Sequence, residues 1–283
     1  MSYKISSKKF QDPLLKPLLE ELSVHFKHQK IKFYLIGATA RDIIMSLHNE
    51  KSSRATHDLD IAIAISDWDQ YAIVEHEILQ LENFTKDSTQ KLRFNYKGIF
   101  ILDIVPYGDI MEQDDKIFWP PDETIAMSVL GFSEVQESVK KVTIDNSFEV
   151  EIASLEGIFL LKLIAWNDRH IKGNKDADDM GFIITNYLSI YMDEALEQHY
   201  EIFEDESFDT RTAGAKLLGK HLVGLLRDYE DTLTQLIEIL DREKALKEDS
   251  ILVNQILETH KGFDFETVLM CLDLLTIELK HQS

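Results

Sequence analysis

The stretch at residues 57–63, HDLDIAI, constrains the fold most, because it sets two carboxylates one residue apart inside an apolar run. Side chains alternate between the two faces of a β-strand, so we expect Asp58 and Asp60 on the same face of a sheet. Neighbouring like charges destabilise such a face unless a cation lies close to them. Mg²⁺ takes oxygen ligands and fills the rest of its shell with waters and substrate phosphates. The pair therefore predicts a metal-binding site that serves the chemistry of phosphate groups.

A turn with anion-binding character precedes this pair. An apolar segment at residues 33–36 leads into Gly37, and a helical pattern follows through about Leu47. Glycine permits a tight turn and a close backbone approach, and a helix start offers free N–H groups and a positive dipole end. Thr39 adds a hydroxyl donor. The segment predicts either a phosphate-binding turn or an ordinary strand–turn–helix.

A third carboxylate lies downstream, in the hydrophobic segment at residues 99–105. Asp103 falls in the interior of this segment, where a charge needs a partner. A neighbouring strand that carries Asp58 and Asp60 would supply that partner through shared cations.

Gly37, the pair Asp58 and Asp60, and Asp103 together resemble the nucleotidyltransferase superfamily, whose fold is that of DNA polymerase beta. That superfamily has a strand–glycine turn–helix, a paired carboxylate on the next strand and a third carboxylate on a later strand. The resemblance implies two Mg²⁺ ions held by the three aspartates, which would be the catalytic residues. Ala38 stands where the superfamily usually has Ser or Gly.

The segment GATARD at residues 37–42 also resembles the GGxVRD segment of CCA-adding enzymes and bacterial poly(A) polymerases. This likeness implies that Gly37, Ala38, Thr39 and Arg41 bind the nucleotide. Arg41 could equally lie on the surface of the first helix of the sheet region or cap that helix.

A second motif occupies residues 155–182 and resembles the AbiEii/AbiGii-type nucleotidyltransferases, many of which are toxins of toxin–antitoxin or phage-defence systems. The pattern is Lys-x6-Arg followed by Lys/Arg-Asp-x-x-Asp, and the matching residues are Lys162, Arg169, Lys175, Asp176 and Asp179. The resemblance covers roughly residues 30 to 190. It implies that Lys162, Arg169, Lys175 and Asp176 serve nucleotide binding.

The spacing of this second motif has a structural meaning of its own. Lys162 and Arg169 are seven residues apart, so they share one helix face. Gly173 and Asn174 end that helix, and Asp176 then shares a face of the next helix with the aspartate three residues later. The alternatives are a solvated charged surface, or an Asp176 that stabilises the start of the second helix.

Composition limits the location and the partners of the chain. A sequence of 283 residues with 44% apolar residues can hold one large domain or two modest ones. The sequence has no uncharged apolar run of about 18 residues, and its first residues lack the apolar core of a signal peptide. We therefore expect no membrane span and a cytoplasmic protein. The single cysteine, Cys271, excludes an internal disulfide and has the apolar neighbours of a core residue.

The net charge of −21 is unevenly distributed along the sequence. Residues 1–110 carry 14 Lys and Arg against 15 Asp and Glu, whereas the remainder has a net charge of −20. The segment 162–175 is locally basic and could hold a triphosphate or a nucleic-acid end. An extended surface for duplex DNA is excluded by the overall charge.

These patterns predict an α+β fold, with a mixed β-sheet flanked by helices at residues 1–153 and a helical bundle at residues 154–283. We expect the first part to be the catalytic domain and the second to contribute its Lys/Asp motif to the nucleotide cleft. Strands are expected at 32–37, 58–65, 91–97 and 99–105, with a strand pair at 129–144 and 148–153 and a loop at 107–123. The small residues at 213–219 suit close helix packing.

The function predicted from the sequence is Mg²⁺-dependent transfer of a nucleoside monophosphate from a nucleoside triphosphate to an acceptor. Toxin likeness favours an RNA 3′ end such as that of tRNA, or a protein side chain, and a cognate antitoxin as a partner. The alternatives are a small-molecule nucleotidyltransferase of the aminoglycoside type and a nucleotide-binding regulatory module without catalysis. The base preference, the number of nucleotides added and the oligomeric state do not follow from the sequence.

Overall fold

The computed structural model describes residues 2–50, 57–112, 115–121, 123, 126–204 and 208–281. The chain divides into two compact units, Met1–Ser154 and Leu155–Ser283. The first unit contains a large mixed sheet with helices, and the second is helical. This arrangement confirms the α+β class.

The strands of the first unit are β1 (Ser2–Ile5), β2 (Phe33–Ile36), β3 (Asp58–Ile65), β4 (Phe84–Lys86), β5 (Arg93–Tyr96), β6 (Phe100–Gly108), β7 (Lys116–Phe118), β8 (Ala126–Ser128), β9 (Lys140–Ile144) and β10 (Phe148–Ile152). Its helices are α1 (Leu15–Gln29), α2 (Gly37–Leu47), α3 (Trp68–Ile78) and α4 (Phe132–Glu137).

Eight of the described strands form one sheet in the order β1-β9-β10-β2-β3-β6-β5-β4. The pairs β1–β9, β10–β2 and β3–β6 are parallel, and the other neighbours are antiparallel. The long parallel pair β3–β6 lies in the interior of this order, so both strands that carry the predicted carboxylates have a neighbour on each side.

The two faces of β3 differ in character. Leu59, Ile61 and Ile63 alternate along one face and are fully buried, as are Leu102 and Ile104 on β6. The positions between them at the start of β3 and in the middle of β6 are only partly buried. One face is therefore packed into the core, and the carboxylates lie on the opposite face.

Several elements differ from the sequence-based expectation. The segment 129–144, expected as a strand, contains α4 before β9 begins. The expected loop at 107–123 contains β7, which pairs with β8 in a separate two-stranded sheet. Strand β1 was not expected, because it is only four residues long and its pairing with β9 comes from a segment far along the chain.

The helices of the second unit are α5 (Leu155–Arg169), α6 (Lys175–Ile190), α7 (Met192–Gln198), α8 (Thr210–Leu225), α9 (Glu230–Leu246), α10 (Ile251–Thr259) and α11 (Phe265–Lys280). Helix α8 packs against α5, α6 and α11. Its small residues allow this close approach, since a Cβ on Gly214 would lie 2.9 Å from the Ile184 carbonyl oxygen. Cys271 is fully buried in α11, as expected of a core residue.

Among the helices that the structure describes, none combines the length and the apolar character needed to cross a bilayer.

The packing of β6 predicts a large difference between two isoleucines that are close in sequence. Ile104→Ala should lower the free energy of unfolding by about 2–5 kcal/mol, because Ile104 is fully buried. Ile99→Ala, at a side chain that is 67% exposed, should change it by less than about 0.5 kcal/mol. Urea unfolding measures both values, and equal losses would contradict the assignment of the buried face.

Candidate functional site

Asp60 and Asp103 are brought side by side by the parallel pairing of β3 and β6. The register places Asp60 opposite Asp103 and Asp58 opposite Ile101. Paired residues on neighbouring strands project from the same face, so all three aspartates share one face of the sheet. Each is partly buried. Three carboxylates from two separate segments therefore meet at the middle of the sheet.

Gly37 borders Asp60 on the other side. The antiparallel register of β2 and β3 places Ile36 opposite Asp60, and Gly37 follows at the start of α2 with a φ of +67°. A Cβ at this position would collide with the Asp60 carboxylate oxygen Oδ2. Glycine is required here both by the left-handed backbone and by the space that the carboxylate fills. Asp60 consequently lies at the positive end of the α2 dipole.

The remaining residues of the turn have structural contacts of their own. Thr39 is buried, and its hydroxyl donates a hydrogen bond of 2.7 Å to the backbone carbonyl of Asp58. This hydrogen bond links α2 to β3. It uses the only proton of the Thr39 hydroxyl, which therefore cannot donate to a ligand at the same time. Arg41 is fully buried, with Nη2 at 2.8 Å from Oδ1 of Asp42, whereas Ala38 is partly exposed.

Arg93 is a member of this site that the sequence reasoning missed. It lies opposite Asp103 in the β5–β6 register and donates two hydrogen bonds to it, Nε to Oδ1 at 2.8 Å and Nη2 to Oδ2 at 2.7 Å. The hydrogen bonds to Asp103 and the nearby Asp58 charge raise the pKa of Arg93. The sequence favours an exposed strand position for Arg93 and leaves a substrate contact open, but it does not predict the pair with Asp103. The hairpin turn at Gly98 was the available signal, because counting back from it pairs residue 93 with residue 103.

The donor set of this face fits a hard divalent cation. Carboxylate oxygens are the ligands that Mg²⁺ takes, and three carboxylates share this face of the sheet. Among the described residues, however, the aspartates do not form a three-ligand group whose atoms all lie within 4.8 Å of one another. Both Asp103 oxygens face Arg93 instead. A carboxylate has more acceptor sites than the two that Arg93 uses, so the three side chains could hold the metal while Asp103 stays bonded to Arg93.

In the helical unit, a compact ion-pair cluster joins α5 to α6. Lys162 Nζ lies 2.7 Å from Asp179 Oδ2 and 3.2 Å from Asp176 Oδ1. Arg169 donates to Asp176 from Nε at 2.8 Å and from Nη2 at 2.9 Å. The two cations therefore share one face of α5, and the two aspartates share one face of α6, as the spacing predicts. Lys175 is the exposed first residue of α6.

Asp176 is the electrostatic centre of this cluster. Burial on its own would raise the pKa of Asp176, but the hydrogen bonds from Arg169 and the charges of Lys162 and Arg169 outweigh it, so that the pKa is lowered from its ordinary value. The carboxylate is therefore ionised at neutral pH and fixes both cations.

One protein family matches most of the chain. Residues 18–249 match the family model described as "Nucleotidyl transferase AbiEii toxin, Type IV TA system". The matched range includes the three aspartates of the sheet and the ion-pair cluster of the helices. No curated protein matches the chain.

Solved structures give weaker likenesses. An antigenic nucleotidyltransferase-like protein from Paracoccidioides brasiliensis is 17% identical, with a TM-score of 0.40 over 75% of this chain and 92% of that one. The antibiotic-resistance factor ANT(2'')-Ia is 15% identical, with a TM-score of 0.37 over 68% and 99%. The cyclic dinucleotide synthase CdnE of Elizabethkingia meningoseptica, solved with GTP and Apcpp, is 11% identical, with a TM-score of 0.28 over 84% and 81%. Scores this low do not establish a common function, so the assignment depends on the family match.

The contact between Gly37 and Asp60 predicts a difference between two glycines with the same backbone conformation. Gly37 and Gly98 have φ values of +67° and +66°, so alanine at either position costs about 1–2 kcal/mol of backbone strain. A Cβ at Gly98 would meet no described atom within 4 Å, whereas one at Gly37 meets Asp60. Gly37→Ala should therefore lower the free energy of unfolding by about 1–3 kcal/mol more than Gly98→Ala. Equal losses in urea unfolding would show that the carboxylate does not occupy this space.

The Asp176 contacts predict a stability effect with a defined pH dependence. Asp176→Asn should lower the free energy of unfolding by about 2 kcal/mol at neutral pH, less than for a fully buried pair because Arg169 is half-exposed. Because folding lowers the pKa of Asp176, its contribution is complete above the ordinary value and is lost as pH falls through the lower folded value. The difference between the two proteins should thus shrink below about pH 4. Asp168→Asn, at an exposed position on α5, is the matched control and should have no such effect.

Proposed function

The chain belongs to the AbiEii nucleotidyltransferase toxin family, and we propose that it is an Mg²⁺-dependent enzyme that transfers a nucleoside monophosphate from a nucleoside triphosphate to the 3′ end of an RNA such as tRNA. The observation that carries the proposal is the in-register pairing of Asp60 with Asp103 beside the Gly37 turn. A face with adjacent carboxylates suits cation binding, and the family match supplies the class of reaction.

Each aspartate has a proposed role. Asp58, Asp60 and Asp103 hold the metal, and Asp103 assists deprotonation of the acceptor hydroxyl. The acceptor oxygen attacks the α-phosphorus, the bond to the bridging oxygen breaks, and pyrophosphate leaves. Bound Mg²⁺ supplies positive charge to the triphosphate and to the attacking oxygen. Arg93 orients Asp103 through its two hydrogen bonds.

The start of α2 is the proposed seat of the triphosphate. The backbone N–H groups at Gly37 and Ala38 present a positive dipole end, which favours an anion. Thr39 and Arg41 support this turn from within, since both are buried and both make contacts inside the first unit. Their proposed contribution to nucleotide binding is through the conformation of the turn.

The helical unit is proposed to contribute charge to nucleotide binding. Lys162, Arg169 and Lys175 are its proposed phosphate-binding cations, with Asp176 fixing the first two. Residues 1–153 would then be the catalytic domain, and residues 154–283 a helical domain with a binding role. Arg169 and Lys175 are exposed, whereas Lys162 is partly buried.

The family description also bears on partners. Its members are described as toxins of type IV toxin–antitoxin systems, so we propose that a cognate antitoxin accompanies this chain. The cytoplasm, where nucleoside triphosphates and tRNA are found, is its proposed location.

Asp60→Asn should abolish nucleotidyl transfer and leave the fold intact, because it removes one charge from the centre of the carboxylate face. Purified protein is incubated with each labelled nucleoside triphosphate, Mg²⁺ and total cellular RNA, and the labelled product is identified. Asp69→Asn makes the same charge change at an exposed position of α3 and should retain full activity.

The outcomes separate the proposals. Full activity of Asp60→Asn would refute the carboxylate assignment. Label on protein, or on an added aminoglycoside, would keep the catalytic assignment and overturn RNA as the acceptor. Mg²⁺-dependent triphosphate binding without transfer to any of these acceptors would favour a regulatory module.

A further inference from the structure

A second group of potential metal ligands lies in the helical unit, apart from the residues considered so far. Glu194 is on α7, His199 directly follows that helix, and His221 is on α8. One ligand atom from each lies within 4.8 Å of the other two, and all three side chains are partly buried. We propose that these residues form a site for a divalent transition-metal ion, with Zn²⁺ as the ion that the ligand set suits best.

The hydrogen bonds behind His221 define which ring nitrogen is available to a metal. The Tyr187 hydroxyl donates its single proton to Glu156 Oε2 at 3.1 Å. The same hydroxyl oxygen lies 2.7 Å from His221 Nδ1, so it accepts a hydrogen bond from Nδ1–H. In the neutral ring, Nε2 therefore carries the lone pair.

A carboxylate oxygen lies close to this ring nitrogen. His221 Nε2 lies 3.2 Å from Glu194 Oε1. A neutral imidazole nitrogen and a carboxylate oxygen repel each other at this distance unless a cation joins them. The cation is either a proton, which gives an ion pair, or a metal ion bound by both atoms. The same separation suits both, because metal–ligand bonds of about 2.0–2.2 Å place neighbouring ligands a little over 3 Å apart.

The third ligand distinguishes the two cases. A shared proton needs only His221 and Glu194 as partners. A ring nitrogen of His199 lies in the same group, and a metal ion would use it as a third ligand. Two imidazoles and one carboxylate are a frequent ligand set for Zn²⁺, and three protein ligands leave the fourth position to water or another donor. A hard ion such as Mg²⁺ prefers oxygen ligands, so this site and the aspartate face have different preferences.

The surroundings hold the His221 ring in place. Tyr191 contacts it edge to face, with ring centroids 5.1 Å apart, and Tyr187 lies at 5.5 Å. A metal-binding histidine typically donates its other N–H to an oxygen that fixes its orientation, as Nδ1 does here with Tyr187. The neighbouring cation Lys220 lies 3.2 Å from Glu201 and 3.4 Å from Glu278, so its charge is balanced by other carboxylates.

Spectroscopy with Co²⁺ tests the site directly on the full chain. Protein freed of metal with a chelator is titrated with Co²⁺ in excess Mg²⁺, which occupies the carboxylate face. A four-coordinate site with nitrogen ligands gives strong visible absorption, whereas hydrated six-coordinate Co²⁺ absorbs weakly. We expect one strongly absorbing ion per chain, and Zn²⁺ should displace it. Zn²⁺ should also raise the Tm of the protein, because it binds the folded state.

Three variants and a matched control complete the experiment. Glu194→Gln, His199→Gln and His221→Gln should each weaken metal binding about tenfold or more. Glu197→Gln makes the same charge change at an exposed position of α7 and should bind as the unaltered protein does. His199 and Glu194 lie near the surface, so their variants keep the test decisive if His221→Gln does not fold.

Two results would overturn the proposal. One is the absence of the strong absorption in the unaltered protein. The other is an equal effect of Glu194→Gln and Glu197→Gln on metal affinity and on the Zn²⁺-induced rise in Tm. None of these readouts requires nucleotidyl transfer, so the site and the proposed enzymatic function can fail independently.

Discussion

The first unit depends on one electrostatic constraint, which is the placement of Asp60 directly beside Asp103 on two parallel strands inside the sheet. Two like charges at neighbouring positions of a sheet oppose its formation. The surrounding structure compensates from both sides. The start of α2 lies next to Asp60, and the Arg93 guanidinium forms a two-bond pair with Asp103. Part of the negative charge of the carboxylate face is therefore already balanced by the protein's own groups.

Gly37 shows how closely the backbone and the charges are coupled. Its positive φ turns the chain from β2 into α2, and the missing Cβ leaves the space that the Asp60 carboxylate fills. Thr39 then fixes α2 to β3 at the Asp58 carbonyl. Thr39, which the sequence suggested as a hydroxyl donor to phosphate, thus acts as a structural link between α2 and β3.

In the helical unit, buried negative charges are also compensated, here by ion pairs with side chains. Asp176 and Asp179 are both buried, and the two cations of α5 lie within hydrogen-bond distance of them. A buried ion pair often adds little net stability over well-packed apolar residues, but removing one partner leaves an uncompensated charge. The cluster therefore fixes the alignment of α5 with α6 and holds Lys162 in a defined orientation.

The sequence alone determined the elements whose signals are local. Alternation along β3, the seven-residue spacing of Lys162 and Arg169, and the glycine at residue 37 predicted the strand, the shared helix face and the turn, because each depends on neighbours in the chain. Only the tertiary structure decided the β3–β6 register, the pairing of Arg93 with Asp103, the strand β1, and the meeting of Glu194 with His221. These depend on contacts between distant segments, and a residue's partner across a sheet or between helices is set by packing, which no local pattern records.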